Sequence, residues 1–344
     1  MQSGNISRLV EFAYGAALTG RGFGMGDFRI DIDDLVDYGA GLVRPECVLC
    51  LKSGTVFTSN GDGGVTRIDA DGTCRHILAD GYRPMTNGFA LTAEGDFLLA
   101  DLHGDGVWRL GQDGACAPFL REVDGMRLGS TNFVGVDPKG RIWAAVSTRR
   151  EPRQRAYRGD VADGYIVLVD GDGARIVADN IGYTNESIVD PSGEWLVVNE
   201  TFARRTSRYA IAGDGSLGPR ETLTEYGAGT YPDGLAFDEE RALWVTSVVS
   251  NRLIRVTPDG GQTLIFEDCD ADALAAVEDA FQAGDMSSAH MGRVVSQRAR
   301  SISSIAFGGP DRRTAYLGNL LDDRLYSFKA PVAGAAPSHW ELKV

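Results

Sequence analysis

The sequence has no apolar run approaching the ~20 residues that a membrane-spanning helix needs. It also lacks positive charge: 34 Lys and Arg against 48 Asp and Glu leave a formal net charge of -14. Phosphate backbones and anionic membrane surfaces both call for concentrated positive charge, so neither nucleic acid nor membrane is expected as a partner. Cysteine is sparse and odd in number, with Cys47, Cys50, Cys74, Cys116 and Cys269 scattered along 344 residues. That usage suits reduced thiols and a cytoplasmic location better than a disulfide framework. The opening run MQSGNISRLVEFAYGAALTG puts Arg8 and Glu11 inside what would be the apolar core of a secretory leader, so no leader is expected. There is no H-x-x-x-H pair or cysteine cluster for a soft metal, and no G-x-S-x-G elbow for a serine hydrolase.

Cys47 and Cys50 form a C-x-x-C in the run ECVLCLKSGTVFTS, which reads as strand, turn, strand. Residues three apart on a strand point to opposite faces. The two thiols are therefore expected to pack as small core residues rather than to share a metal.

What the sequence does contain is a repeat. Six segments begin with a polar residue and continue as apolar strand, turn, second apolar strand, loop and third strand. They open at Glu46, Asn87, Asn132, Asn185, Asp233 and Ser303, with intervals of 41, 45, 53, 48 and 70 residues. The short intervals match one four-stranded propeller blade. The turns SGT, AEGD, DPKGR and DPSGE have the Gly, Asp and Pro content of tight hairpins. The expected fold is all-β, a six-bladed β-propeller in one domain over residues 1–344, with a helical insertion between blades five and six. Two segments compete to close the ring: residues 338–343 (SHWELK) and a strand from residues 1–40.

Strand direction places the long insertions on one face. Residues 147–164 and 199–207 join second and third strands, and 268–301 joins the fifth blade to the sixth. Long loops gathered on one side of a rigid scaffold commonly build a binding site. In 268–301, Leu274, Val277 and Phe281 are spaced as an amphipathic helix, with Asp270 or Asp272 as its cap and Gly284 at its end. The basic run after it is read as a lid. The arginines of the third-blade loop, Arg149, Arg150, Arg153, Arg155 and Arg158, are either a solvated surface or an attraction for a carboxylated substrate.

Inner strands of a propeller line its channel, so the six opening residues converge at one mouth. Polar groups at the start of buried strands need something to satisfy them. Carboxylate and amide oxygens suit a hard divalent cation, calcium first, then magnesium or manganese, with zinc a further alternative. The alternative is that they cap strands and bind backbone or water.

Glu46 in RPECVL, Asn132 in GSTNFVGVDPKGRIW, Asn185 in YTNESIVDPSGEW and Asp233 in YPDGLAFDEERALWV together resemble the senescence-marker-protein/gluconolactonase/luciferin-regenerating-enzyme-like family, which includes regucalcin-like lactonases. The resemblance covers about residues 40–330. It implies one divalent metal on Glu46, Asn132, Asn185 and Asp233, and hydrolysis of a small lactone or related ester, sugar-derived or carboxylated. Asp233 and Glu46 would be the catalytic residues, Asp233 acting as both ligand and base. Asn87-Gly88 with Asp101 and His103 resembles the gluconolactonase-like branch and implies substrate contact by Asn87 and His103. Tyr231, His290 and Ser303 are further candidates for substrate contact. Three positions depart from the family pattern beside the ligands: Cys47-Val48, Phe133 and Glu186 stand where Gly-Pro, Asp and Gly are usual. These departures keep two alternatives open, a metal-dependent isomerase, dehydratase or lyase, and a non-catalytic calcium- or ligand-binding propeller. Nothing in the sequence sets the oligomeric state.

Overall fold

The structure is a computed structural model that describes residues 28–104, 106–293 and 296–344. The opening run read above for a leader lies outside these residues. Among them, six four-stranded antiparallel sheets are arranged as the blades of a six-bladed β-propeller. The inner strands are Val48–Cys50, Thr86–Leu91, Thr131–Val136, Thr184–Val189, Tyr231–Phe237 and Ile302–Gly308. Each blade then runs outward in sequence order through hairpins. The inner strand of blade six packs against that of blade one, so the ring is closed.

Closure is made by the N-terminal alternative. Val36–Tyr38 pairs antiparallel with Leu325–Lys329, with Val36 opposite Ser327, and supplies the outer strand of blade six. Asp37 ties this strand down by accepting from Arg298 (2.7 Å) and Arg324 (3.1 Å). Residues 338–343 form no blade strand. Trp340 is buried instead, and its carbonyl accepts from the Lys52 amide at 3.0 Å.

The blades are held at the turn face by buried aspartates. Asp238 Oδ1 accepts the amides of Glu240 and Ala242, and Oδ2 accepts Trp244 Nε1 (2.9 Å) and Arg255 Nε (2.7 Å). Asp137 does the same for Lys139, Arg141 and Trp143 in blade three. One carboxylate thus shapes the tight turn and satisfies the indole of the tryptophan that packs between blades. Cys47 and Cys50 are buried in different apolar clusters, as the strand spacing predicts.

Between blades five and six, α1 (Ala271–Gln282) is capped by Asp270, whose side chain accepts the Ala273 amide, and is followed by Gly284 at φ +74°. A short α2 (Ser288–Met291) comes next. The insertion is pinned at its base, because the Asp268 carboxylate accepts the amides of Gln297 (2.9 Å), Arg298 (2.8 Å) and Ala299 (2.7 Å). Among the described residues no helix is long and apolar enough to cross a membrane.

Candidate metal and substrate site

Five of the six inner strands break register at the same place. Pairing shifts between Thr86 and Phe89, Thr131 and Phe133, Thr184 and Ser187, Pro232 and Leu235, and Ile302 and Ser304. The residues skipped by the ladder include Asn87, Asn132, Asn185, Asp233 and Ser303. A bulge leaves its extra residue unpaired and re-aims its side chain, which is how strands packed blade against blade present polar groups to the channel. The geometry demands small neighbours. A Cβ on Gly234 would lie 2.4 Å from the Ser303 carbonyl oxygen, and one on Gly88 would lie 2.4 Å from the Phe133 ring.

These side chains join into a buried cluster. Asn87 Nδ2 donates to Glu46 Oε1 (2.9 Å) and to Asn132 Oδ1 (3.1 Å). Asn185 Nδ2 donates to Thr201 Oγ1 at 2.9 Å. Ser303 Oγ donates to the Glu46 carbonyl at 2.9 Å. Burial pushes the Glu46 carboxyl up to about 7, against the pull of Arg44, Asn87 and Arg153. Burial, then repulsion from Glu46, pushes Asp233 well above the usual carboxylate range. A further positive charge beside them would return such buried carboxyls to their ionised form.

Unpaired atoms point the same way. Glu46 Oε2 and Asn185 Oδ1 are buried without a hydrogen-bond partner. Both are oxygen acceptors, and both belong to the set with hard-cation chemistry. Among the described residues no three His, Cys, Asp or Glu gather as ligands; the donors here are two carboxylates and amides. Glu46, Asn132, Asn185 and Asp233 therefore fit a divalent ion.

The remaining sequence candidates lie at different distances from this cluster. Asn87 is inside it, as the bridge between Glu46 and Asn132. Tyr231 is fully buried at the start of its strand, where its hydroxyl accepts from Arg204 (2.9 Å) and bonds Glu278 (3.3 Å). His103 is exposed in its loop, with its amide bonded to Asp101 Oδ1 (3.0 Å). His290 Nδ1 is engaged by Ser287 in the cap of α2. Over the mouth, Tyr157, Tyr183, Phe202 and Tyr231 pack with Val277 and Phe281 of α1.

Three groups in this region escaped the sequence reading. Arg44 reaches the cluster and donates to Asn87 Oδ1 at 2.7 Å. Its signal, a position two residues before Glu46, is legible only once Glu46 is known to line the channel. Thr201 orients Asn185. Glu186 was noted only as a departure. Its Oε2 accepts the Leu235 amide (2.8 Å), its Oε1 has no partner, and burial together with Glu46 and Asp233 pushes its carboxyl well up. It also feels Cys47 of blade one, opposite its own blade four, so it reaches into the channel just below the cluster. Beneath it is a cavity of about 180 Å³ lined by later residues of the inner strands, such as Phe89, Phe133 and Phe307, and flanked by 335–339.

Fold and site together define a six-bladed propeller whose bulged inner strands gather carboxylates and amides at one channel mouth. The family model described as SMP-30/Gluconolactonase/LRE-like region matches residues 62–267, and the chain belongs to that family. The match leaves Glu46 and Ser303 outside it. The chain is 28% identical over 240 residues to a 6-deoxy-6-sulfogluconolactonase of Pseudomonas putida, covering 69% of this chain and 67% of that protein. Two solved structures share the fold. A gluconolactonase of Xanthomonas campestris superposes with TM-score 0.65 at 18% identity, covering 86% of this chain and 89% of its own. Regucalcin of Agrobacterium tumefaciens, a calcium-binding protein, gives TM-score 0.62 at 16% identity, covering 88% and 95%.

Proposed function

We propose that the protein is a metal-dependent hydrolase of a small, sugar-derived lactone. The observation that carries this reading is the pair of buried, unpartnered acceptors, Glu46 Oε2 and Asn185 Oδ1, beside the raised carboxyls of Glu46 and Asp233. The lactone substrate of the Pseudomonas relative supports the substrate class. A divalent ion held by Glu46, Asn132, Asn185 and Asp233, most simply calcium, supplies Lewis acidity toward a lactone carbonyl or a water. The protein's own part is to fix the donors and to exclude solvent. Asn87 holds Glu46 and Asn132 together, and Thr201 holds Asn185. Asp233, once ionised, would take the proton of the attacking water. The aromatic roof and α1 act as the lid that covers the mouth.

The test is hydrolysis of D-glucono-1,5-lactone by chelator-stripped protein and by protein reloaded with calcium, magnesium, manganese or zinc. Activity should disappear on stripping and return with one of these ions. Glu46→Gln and Asp233→Asn should each lower it by more than about a hundredfold. Full activity in metal-free protein would mean that Arg44 and Arg153 alone balance the carboxylates, and the proposal would fall.

A further inference from the structure

We infer that Arg44 and Arg153 form an oxyanion subsite beside the carboxylate cluster, so that the substrate is a lactone carrying a fixed negative charge away from its ester. The inference rests on the lactone-hydrolase reading and names its substrate class.

The third-blade loop separates its arginines. Arg149 pairs with Asp179 (2.8 Å), Arg150 with Asp163 (3.1 Å) and Arg158 with Asp160 (2.8 Å), all at the surface. Arg153 instead turns inward from a 3-10 turn (Arg153–Ala156) and donates to the neutral phenol of Tyr183 at 3.0 Å. Arg44 likewise donates to neutral acceptors, Asn87 Oδ1 (2.7 Å) and the Thr86 carbonyl (3.4 Å). Among the described residues no carboxylate lies within ion-pair distance of either guanidinium. The two repel one another, and both feel Glu46 and Asp233.

The charge count then points to a ligand. Once a divalent cation takes up the charge of Glu46 and Asp233, two guanidiniums remain, largely withdrawn from water and uncompensated. Unpaired charges of that kind are expensive unless a counter-ion joins them. The backbone also holds Arg44 in place at some cost: its φ is +47°, a left-handed conformation that disfavours non-glycine residues. Guanidinium forks match carboxylate, sulfonate and phosphate oxygens alike. Around this site the protein is strongly acidic, so the attraction is local and selective.

Calorimetric titration of the metal-loaded protein separates the sources of the charge. The probes are gluconate, glucarate, 6-deoxy-6-sulfogluconate and 6-phosphogluconate, which share one carboxylate and differ at carbon six. At least one of the three probes with an anionic group at carbon six should bind about tenfold or more tightly than gluconate, and the best of them identifies the oxyanion. Arg44→Gln and Arg153→Gln should each bring that ratio close to one, and the corresponding lysine variants should restore it in part. Equal binding of gluconate and all three carbon-six anions by the unaltered protein overturns the subsite, as does an unchanged ratio in both glutamine variants. Should Arg44→Gln fail to fold, Arg153→Gln, on its loop, carries the decision. These are binding measurements, so loss of the subsite and loss of lactone hydrolysis are read separately.

Discussion

Asn185 donates its amide nitrogen to Thr201 Oγ1 at 2.9 Å, and Thr201 passes its own proton to the Pro232 carbonyl at 2.9 Å. This relay fixes which end of the Asn185 amide faces Asp233. With the nitrogen committed, Oδ1 is the atom left to bind a cation. Thr201 touches no proposed ligand oxygen, so its effect is one of positioning. Groups that orient metal ligands commonly change affinity by about 10–100-fold. Thr201→Val should weaken metal binding by that amount in a calorimetric titration, and Thr201→Ser should restore it. Unchanged affinity in the valine variant would remove the relay from the site.

The raised carboxyls predict an unusual pH profile for the metal-free protein. Glu46 sits at about 7 when folded, and Glu186 is pushed well above its ordinary value by burial and by Glu46. Unfolded, both return to about 4.3. The folded state therefore holds more protons between these limits. Its stability is fully present below about pH 4.3 as far as these groups are concerned, and is lost as pH rises through about 7. Denaturant midpoints of stripped protein should fall from pH 5 to pH 8. Glu186→Gln cannot ionise and should flatten part of that slope. A midpoint that rises over the same range would contradict the assignment of neutral carboxyls.

α1 is anchored to the rim by Arg204, which donates to Glu278 Oε1 (2.9 Å) and Oε2 (2.5 Å) and lies over the Phe281 ring at 4.0 Å. Glu278 also accepts the Gly229 amide at 2.9 Å. The Glu278 carboxyl is held below its usual range in spite of burial, chiefly by Arg204 and Gln282. Glu278→Ala should free α1 from the rim while leaving the cluster of ligands intact. Proteolysis should then become faster within 268–301, and KM for a lactone should rise more than kcat falls. Equal losses in both, without faster cleavage, would show that α1 does not cover the site.

Much of this was legible in the chain. The blade repeat was carried by the polar openers and Gly-rich turns, and the turn aspartates Asp137 and Asp190 were visible in DPKGR and DPSGE. The α1 helix was written in its spacing and its Asp270 cap. Closure was not, because Val36–Tyr38 is only three residues long and its partner lies some 290 positions away. His290, read as a candidate substrate contact in the lid, has its Nδ1 engaged by Ser287 at the start of α2. A histidine's partners depend on local backbone geometry that composition does not encode. Arg153 could not be told from its four neighbours, since charge runs look alike until the loop is folded.

What the sequence determined by itself was the periodicity, and with it the equivalence of Glu46, Asn87, Asn132, Asn185, Asp233 and Ser303. Hydrophobic alternation and turn chemistry are local, and they repeat wherever the blade repeats. Tertiary structure alone decided which atoms of those residues are free. The bulges form within each blade, the Thr201 relay crosses from blade four to blade five, and Arg44 and Arg153 come from loops far apart in the chain. The site's charge balance is set by those contacts, through burial and proximity, and no single segment carries it.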